Sequence, residues 1–532
     1  MARCDAQDER TGGDMMQPCP TGMNPYTDIR KVNMRVTFRL VDLHAAQVGT
    51  PSTNGQAFVT NLPQLVDEDE VIYGKFAVLE KDFWKLDGSL SILPQNYTEK
   101  EFGWFSSYIS GDNKKFSTNP TLTFNFSEDI SSIGFSLTFD STHGEWPSKF
   151  HVATYSAGGT LISECDVTND SPQCIVNLLS PEYRKVVFTF KETSNPHRRI
   201  RVCEVLFGII QHFDRNSLLS ASMTYGGDVK SASLPSRELS FTFDNSDKKY
   251  NLINPDGIYA FLQEGQPIDA EMSINDSAWI NMGRYFFASS KADDEALSAE
   301  ITATDRLLWM DSSVCRVGTS GTWTLSAAVA AVLADAGASD IPVSMASSLA
   351  STTVGRQIPE NTSHREALRL LAQAACCACW IDREGTLVFN QLTLGTVRDA
   401  MTKNNMKSMN GISVSERINT VELTVQDPYV QGSEAAVYTA TDRESDEAVH
   451  SVSINNPCAY NGQTVANWLL GCYQRRLSYK LQSRGNPLLE IGDTVSVESA
   501  FDDIGSCTVT GIDLIYDGGL SAVIEGQGGV WS

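Results

Sequence analysis

The sequence has no apolar run of the roughly 20 residues that a membrane-spanning helix needs. Its longest apolar stretches, Ala327 to Ala334 and Leu370 to Ile381, are short and rich in alanine, which argues against a helical span. The first ten residues carry no apolar signal core, so secretion is not expected. Basic residues are scarce: 41 Lys and Arg stand against 65 Asp and Glu, a formal net charge of −24. Such a chain is badly suited to clamping nucleic acid, because phosphate contacts need a basic surface. The acidity serves solubility, or it lines a passage where DNA slides without sticking. The 7 histidines are scattered, with no His-Glu-x-x-His zinc motif. The 12 cysteines lack an even, framework-like spacing and are expected as reduced, mostly buried thiols.

Recognisable catalytic patterns are missing too. Gly318-Thr-Ser-Gly321 lacks the strand–elbow–helix context of a serine nucleophile. Gly526-Gln-Gly-Gly529 follows a strand pattern with no helix after it, unlike a dinucleotide loop. The acidic stretches Asp67 to Glu70, Asp293-Asp294 and Asp502-Asp503 read as solvated loops. Cys376-Cys377-Ala378-Cys379 is the best metal candidate, but a zinc site needs a second ligand pair. Small buried core residues are expected there, with a metal or redox role as the alternative. No enzyme, cofactor or metal is therefore expected. Trp104, Trp146 and Tyr155 could stack on sugar rings, against the alternative of plain core packing. His143 and His151 flank Trp146 and are expected in solvent, and Arg198-Arg199 could face a glycan, a neighbouring subunit or only water.

What the sequence does have is β pattern. At about 150 residues per domain, 532 residues suggest three or four domains. Apolar residues make up 41% and charged residues 20%, enough for buried cores. Residues 1–33, with scattered glycine and proline, are expected as a flexible arm. Residues 34–83 form a β segment with alternating runs at Met34 to Val41 and Val71 to Leu79. Residues 84–213 hold period-two runs at Pro120 to Ser127, Ile133 to Phe139, Phe150 to Tyr155 and Lys185 to Phe190, which predict a β-sandwich.

A first barrel-like β domain is expected over 214–312. Within it Asp244-Asn-Ser-Asp247 ends a strand and turns on its own short side chains. A helix–hairpin α/β domain follows over 313–400. Its first helix is predicted at Leu325 to Ala336, capped by Thr324. The second opens at Ser363 with Glu366 at capping-box spacing and carries the stripe Ala367, Leu368, Leu370, Leu371, Ala374 and Ala375. A strand, a turn at Asp382 to Gly385 and a return strand complete it.

Residues 401–532 form a second β domain with a helix near Thr464 to Arg476. Its closing module, Leu488 to Gly529, shows three alternating runs split by glycine-bearing turns, and Gly518-Gly519 suits a two-residue hairpin turn with both φ angles positive. The fold class is mainly β with a few helices: a sandwich, β-barrel domains and a closing antiparallel module.

Three blocks, in this order, resemble the baseplate hub and tail-associated (tail-tip) family of bacteriophages. They are Leu234 to Asp247 with Asn254-Pro-Asp-Gly-Ile258, the Ala367 to Leu392 helix–hairpin, and Ile491 to Gly529. Together they span roughly 216 to 532. Arg199 to Gly208 also resembles the final strand of galactose-binding-like sandwiches. The hub resemblance implies a homotrimeric structural protein of the virion. Such a protein closes the tail tube, adapts six-fold to three-fold symmetry and opens to pass DNA. Implied partners are a distal tail protein, a tape-measure protein and tail fibre or spike proteins, with a cell-surface glycan as a further candidate ligand. Genomic DNA would pass without stable binding, and assembly would occur in the host cytoplasm. Alternatives are a hexameric distal tail protein and a carbohydrate-binding or glycan-degrading protein. Because the chain ends at Ser532, just after the closing module, no appended enzyme is expected.

Overall fold

The computed structural model describes residues 17, 19–20, 23–55, 62, 65–66, 80–81, 103–251, 253–254, 257–292, 297–408, 411–444, 447–498 and 504–528. The strand expected at Val71 to Leu79 and the acidic stretches Asp67 to Glu70, Asp293-Asp294 and Asp502-Asp503 lie outside them. Two compact units emerge. The smaller comprises Thr37–His212 and Lys248–Pro267; the larger comprises Met1–Val36, Phe213–Asp247 and Ile268–Ser532.

In the smaller unit, alternation of large apolar and polar residues yields a two-sheet sandwich. One sheet has five strands in the order Gly49–Thr53, Thr121–Ser132, Ser180–Thr193, Pro147–Tyr155, Leu161–Thr168. The other has four: Trp104–Ile109, Arg199–Leu206, Phe135–Phe139, Gln173–Val176. Their inner faces share one aromatic core. Phe135 meets Phe188 edge-on at 5.7 Å, Phe139 meets Phe150 at 6.3 Å, and Trp104 meets Phe190 at 5.7 Å. Each fully buried phenylalanine contributes about 1.5–3 kcal/mol, so this core is the main support of the sandwich. Gly208 is needed for close approach, since a Cβ there would lie 2.0 Å from the Leu40 carbonyl oxygen.

Most strands of a thirteen-stranded sheet belong to the larger unit. Its order there is Val32–Val41 (first half), Pro267–Ile274, Ile280–Lys291, Ser298–Thr304, Glu238–Asp244, Leu218–Gly226, Ile504–Tyr516, Leu520–Gly528, Leu477–Ser483, Gly411–Val414. Thr494–Glu498 also pairs with Ile504–Tyr516 and carries Val397–Met401 on its other side. The barrels expected over 214–312 and 401–532 are thus an open sheet among the described residues. The closing module, paired antiparallel to Leu218–Gly226, continues that sheet instead of sealing a cylinder of its own.

Local signals translate directly into helices. Thr324 Oγ1 accepts the Ala327 N–H and starts the helix Leu325–Asp335. Ser363 Oγ accepts the Glu366 N–H at 3.1 Å and starts His364–Ala374. The reciprocal half of the capping box gives way to an ion pair, for Glu366 binds Arg369 at 2.6 and 2.7 Å. All six residues of the expected stripe are buried. Cys376, at φ 58°, breaks the helix before the hairpin Ala378–Ile381 and Leu387–Asn390. The helix expected near Thr464 to Arg476 runs over Gly462–Gln474.

Two local expectations need correcting. The hairpin turn after Tyr516 has three residues, because Tyr516 pairs with Leu520, and of its two glycines only Gly518 takes a positive φ. Part of the expected arm is firmly tied down. Arg30 donates to the carbonyls of Pro25, Gly485 and Leu520 at 2.7–2.8 Å, and Tyr26 donates to Asp399 Oδ2 at 2.6 Å. Carbonyl acceptors scattered across loops leave no periodic trace in a sequence, so this docking was invisible there.

Candidate functional site: an exposed sheet end

Each residue singled out above has a definite place. Trp104 is fully buried in the sandwich core, so its ring is committed to packing. Trp146 and Tyr155 are half-buried, and Lys185 Nζ sits 5.3 Å from the centre of the Tyr155 ring. Arg198 and Arg199 face inward. Arg198 Nε donates to Glu145 Oε1 at 2.8 Å, while Arg199 Nη1 donates to the Ser106 and Ser107 carbonyls. His143 Nδ1 lies 2.8 Å from Asp140 Oδ2, and His151 lies between Glu164 and Asp166 at 3.3 and 3.1 Å, so neither stands alone in solvent. Asp140 also binds Arg201, which is buried with Glu80.

In the larger unit, Asp244 accepts the Ser246 N–H and hydroxyl, making the turn its sequence suggested. Gly526 and Gly528 lie inside the last strand. Cys377 and Cys379 are buried and Cys376 half-buried. Burial pushes all three thiols up, Cys376 to about 11, which keeps them protonated.

The feature most suited to function is where the large sheet ends. Among the described residues Gly411–Val414 pairs only with Leu477–Ser483, and its four residues are all exposed. Ile412 and Val414 are each about half exposed. An edge strand with unpaired backbone groups and bare apolar side chains is a template for another chain. A cavity of about 870 Å³ opens beside it, reaching Tyr225, Asp228, Tyr479, Asp513 and Gln527. Lys480 and Glu525, paired at 3.1 Å on adjacent strands, are among the residues that line it. A second small sheet, Ala436–Thr441, Thr420–Val425, Ser451–Asn455, also exposes Val437 on an outer strand.

Sequence spacing did not bring together a set of inward-facing arginines. Arg383 donates to the carbonyls of Pro487 and Leu489 and pairs with Glu490. Arg237 donates to the Met282 and Asp382 carbonyls and to Tyr285 Oη, with its guanidinium 4.6 Å from the Tyr225 ring centre. Burial raises Asp305 to about 6 and Asp493 to about 7. Glu490, also buried, is raised as well. The one sequence signal was charge inside apolar text, as in Trp380-Ile-Asp-Arg383.

No family model and no curated protein matches the chain. Among solved structures, it resembles a tail protein from Neisseria meningitidis MC58 at 12% identity and TM-score 0.43, covering 60% of this chain and 93% of that one. A 43 kDa tail protein of prophage MuSo2 from Shewanella oneidensis matches at 16% identity and TM-score 0.42, covering 59% and 95%. A prophage tail protein from Listeria monocytogenes EGD-e matches at 10% identity and TM-score 0.40, covering 59% and 91%. Likeness at this level names no function by itself.

Proposed function

We propose that the chain is a structural, non-enzymatic virion protein: a homotrimeric hub of a phage baseplate or tail tip. It closes the tail tube, matches six-fold to three-fold symmetry and opens for DNA. The observation that carries this proposal is the exposed, apolar edge strand Gly411–Val414 beside its cavity. Ring closure by copies of one chain would cover such an edge. The three hub-like sequence blocks and the net charge of −24 support it, since acidic walls would let phosphates pass. Its partners are then a distal tail protein, a tape-measure protein and fibres or spikes.

Sedimentation of the purified full chain tests the proposal: a trimer is expected. Ile412→Lys combined with Val414→Lys should shift it to monomer without unfolding it. Six copies per ring would favour a distal tail protein instead. A wild-type monomer at micromolar concentration would remove the hub. Of the three candidate aromatics in the sandwich, Trp146 and Tyr155 keep surface to offer a glycan, and glycan-array binding lost on their replacement by alanine would establish that role.

A further inference from the structure

Three ligand-type side chains that lie far apart in sequence converge in the larger unit. Cys315, Asp335 at the end of one helix and His364 at the start of another each place one donor atom within 4.8 Å of the others. The backbone arranges this. Cys315 N–H donates to the Thr362 carbonyl at 2.9 Å, and Val314 bridges to Ser363. The loop carrying Cys315 therefore runs beside the residues that lead into His364.

The far side of the imidazole fixes its orientation. His364 Nδ1 lies 3.1 Å from the Ser313 carbonyl oxygen and 2.7 Å from its hydroxyl. A carbonyl only accepts, so this contact suits the tautomer in which Nδ1 carries the proton and donates. Metal-bound histidines are commonly held in this way, with the second ring nitrogen bonded to a carbonyl. Nε2 then faces Asp335 Oδ2 at 3.0 Å. In that tautomer Nε2 and the carboxylate both present lone pairs, an arrangement that a metal ion between them satisfies; in the other, Ser313 Oγ–H donates to Nδ1 and Nε2–H to Asp335. A sulfur at the same point makes a three-donor set of the kind zinc takes, with a fourth position left open.

The surroundings favour the anionic carboxylate, since Arg316 N–H donates to Asp335 Oδ2 at 2.7 Å. Burial pushes the Cys315 thiol up, so an ion must displace its proton on binding. The carbonyl end of the helix Leu325–Asp335 adds partial negative charge beside a cation. Asp335 is exposed, so an ion has a route in from solvent.

We propose that Cys315, Asp335 and His364 bind one zinc-type divalent cation, with water in the fourth position on the Asp335 side. Bonds of about 2.0–2.3 Å require the three donors to draw closer together, chiefly by rotation of Cys315. The positive Arg316 acts on the same carboxylate, so binding is weaker than at a closed four-ligand site. The ion would clip the Cys315 loop and two helix ends together.

The test uses the full chain, stripped with a chelator and titrated with Co²⁺, then Zn²⁺. One equivalent of Co²⁺ should produce a near-ultraviolet sulfur-to-cobalt band and visible bands of four-coordinate strength, and Zn²⁺ should abolish both. Cys315→Ser should lose the sulfur band while Cys377→Ser keeps it. Asp335→Asn alters an exposed helix end that need not affect folding, and should weaken cobalt binding by at least ~10-fold, the least that even an outer-shell change costs. The proposal falls if wild type shows no sulfur band, if the band survives Cys315→Ser, or if Asp335→Asn binds cobalt as tightly as wild type.

Discussion

The two units bury arginine to different ends. In the sandwich, buried arginines meet carboxylates: Arg201 pairs with Asp140 and Glu80, and Arg198 with Glu145. In the larger unit the buried Arg383 and Arg237 and the half-buried Arg30 and Arg475 mostly meet backbone carbonyls, at Pro487, Met282, Gly485 and Leu392. A carboxylate pair neutralises charge between side chains and adds little net stability over an apolar filling. A guanidinium on several carbonyls does something else. It satisfies acceptors that irregular loops leave unpaired, and so fixes the path of the chain where no strand ladder can. The sandwich uses the same device only beside its ion pairs, where Arg198 and Arg199 reach the carbonyls of Lys81, Ser106 and Ser107.

The largest expected effect follows from that contrast. Arg383→Met leaves two loop carbonyls and Glu490 buried without their donor. It should destabilise the larger unit by about 3–5 kcal/mol. Denaturant unfolding monitored by hydrogen exchange should place the loss in residues 477–528 and leave the sandwich protected. Equal loss in both units would erase the distinction.

In the sandwich, Arg201→Met should cost about 3 kcal/mol, and adding Asp140→Asn and Glu80→Gln should recover most of it, because a missing ion pair is tolerated where a stranded charge is not. No equivalent rescue exists for Arg383, since a carbonyl cannot be mutated away.

A smaller effect concerns pH. Asp493, raised to about 7 chiefly by burial and then by Glu490, keeps its proton in the folded state well above the value of an unfolded carboxyl. The folded chain then binds more protons between about pH 4 and 7, so its stability falls as pH rises through that window. Asp493→Asn should flatten the decline and stabilise the larger unit at pH 7.5 by on the order of 1–3 kcal/mol. Thermal melting from pH 4.5 to 7.5 measures it, and an unchanged slope would assign the decline to other groups. Least of all, Ser363→Ala should cost about 1 kcal/mol through the lost cap on His364–Ala374.

Local chemistry made much of the fold legible. The stripe from Ala367 to Ala375, the cap at Ser363 and the alternation at Thr121–Ser132 each use contacts within a few residues, so the sequence alone determined those elements and their buried faces. It also determined the mainly β class and the sandwich, because large side chains at every second position have one stable arrangement, a shared interior. Trp104 shows the limit. An aromatic in a strand reads the same whether it faces sugar or core, and only the opposing sheet, bringing Phe190 against it, decided. Tertiary structure likewise decided that among the described residues the sheet stays open at Gly411–Val414, that Arg30 ties down the chain ahead of the first strand, and that Cys315, Asp335 and His364 meet. Each of these depends on pairing between distant segments, and no spacing rule records which distant partner a donor or an edge will find.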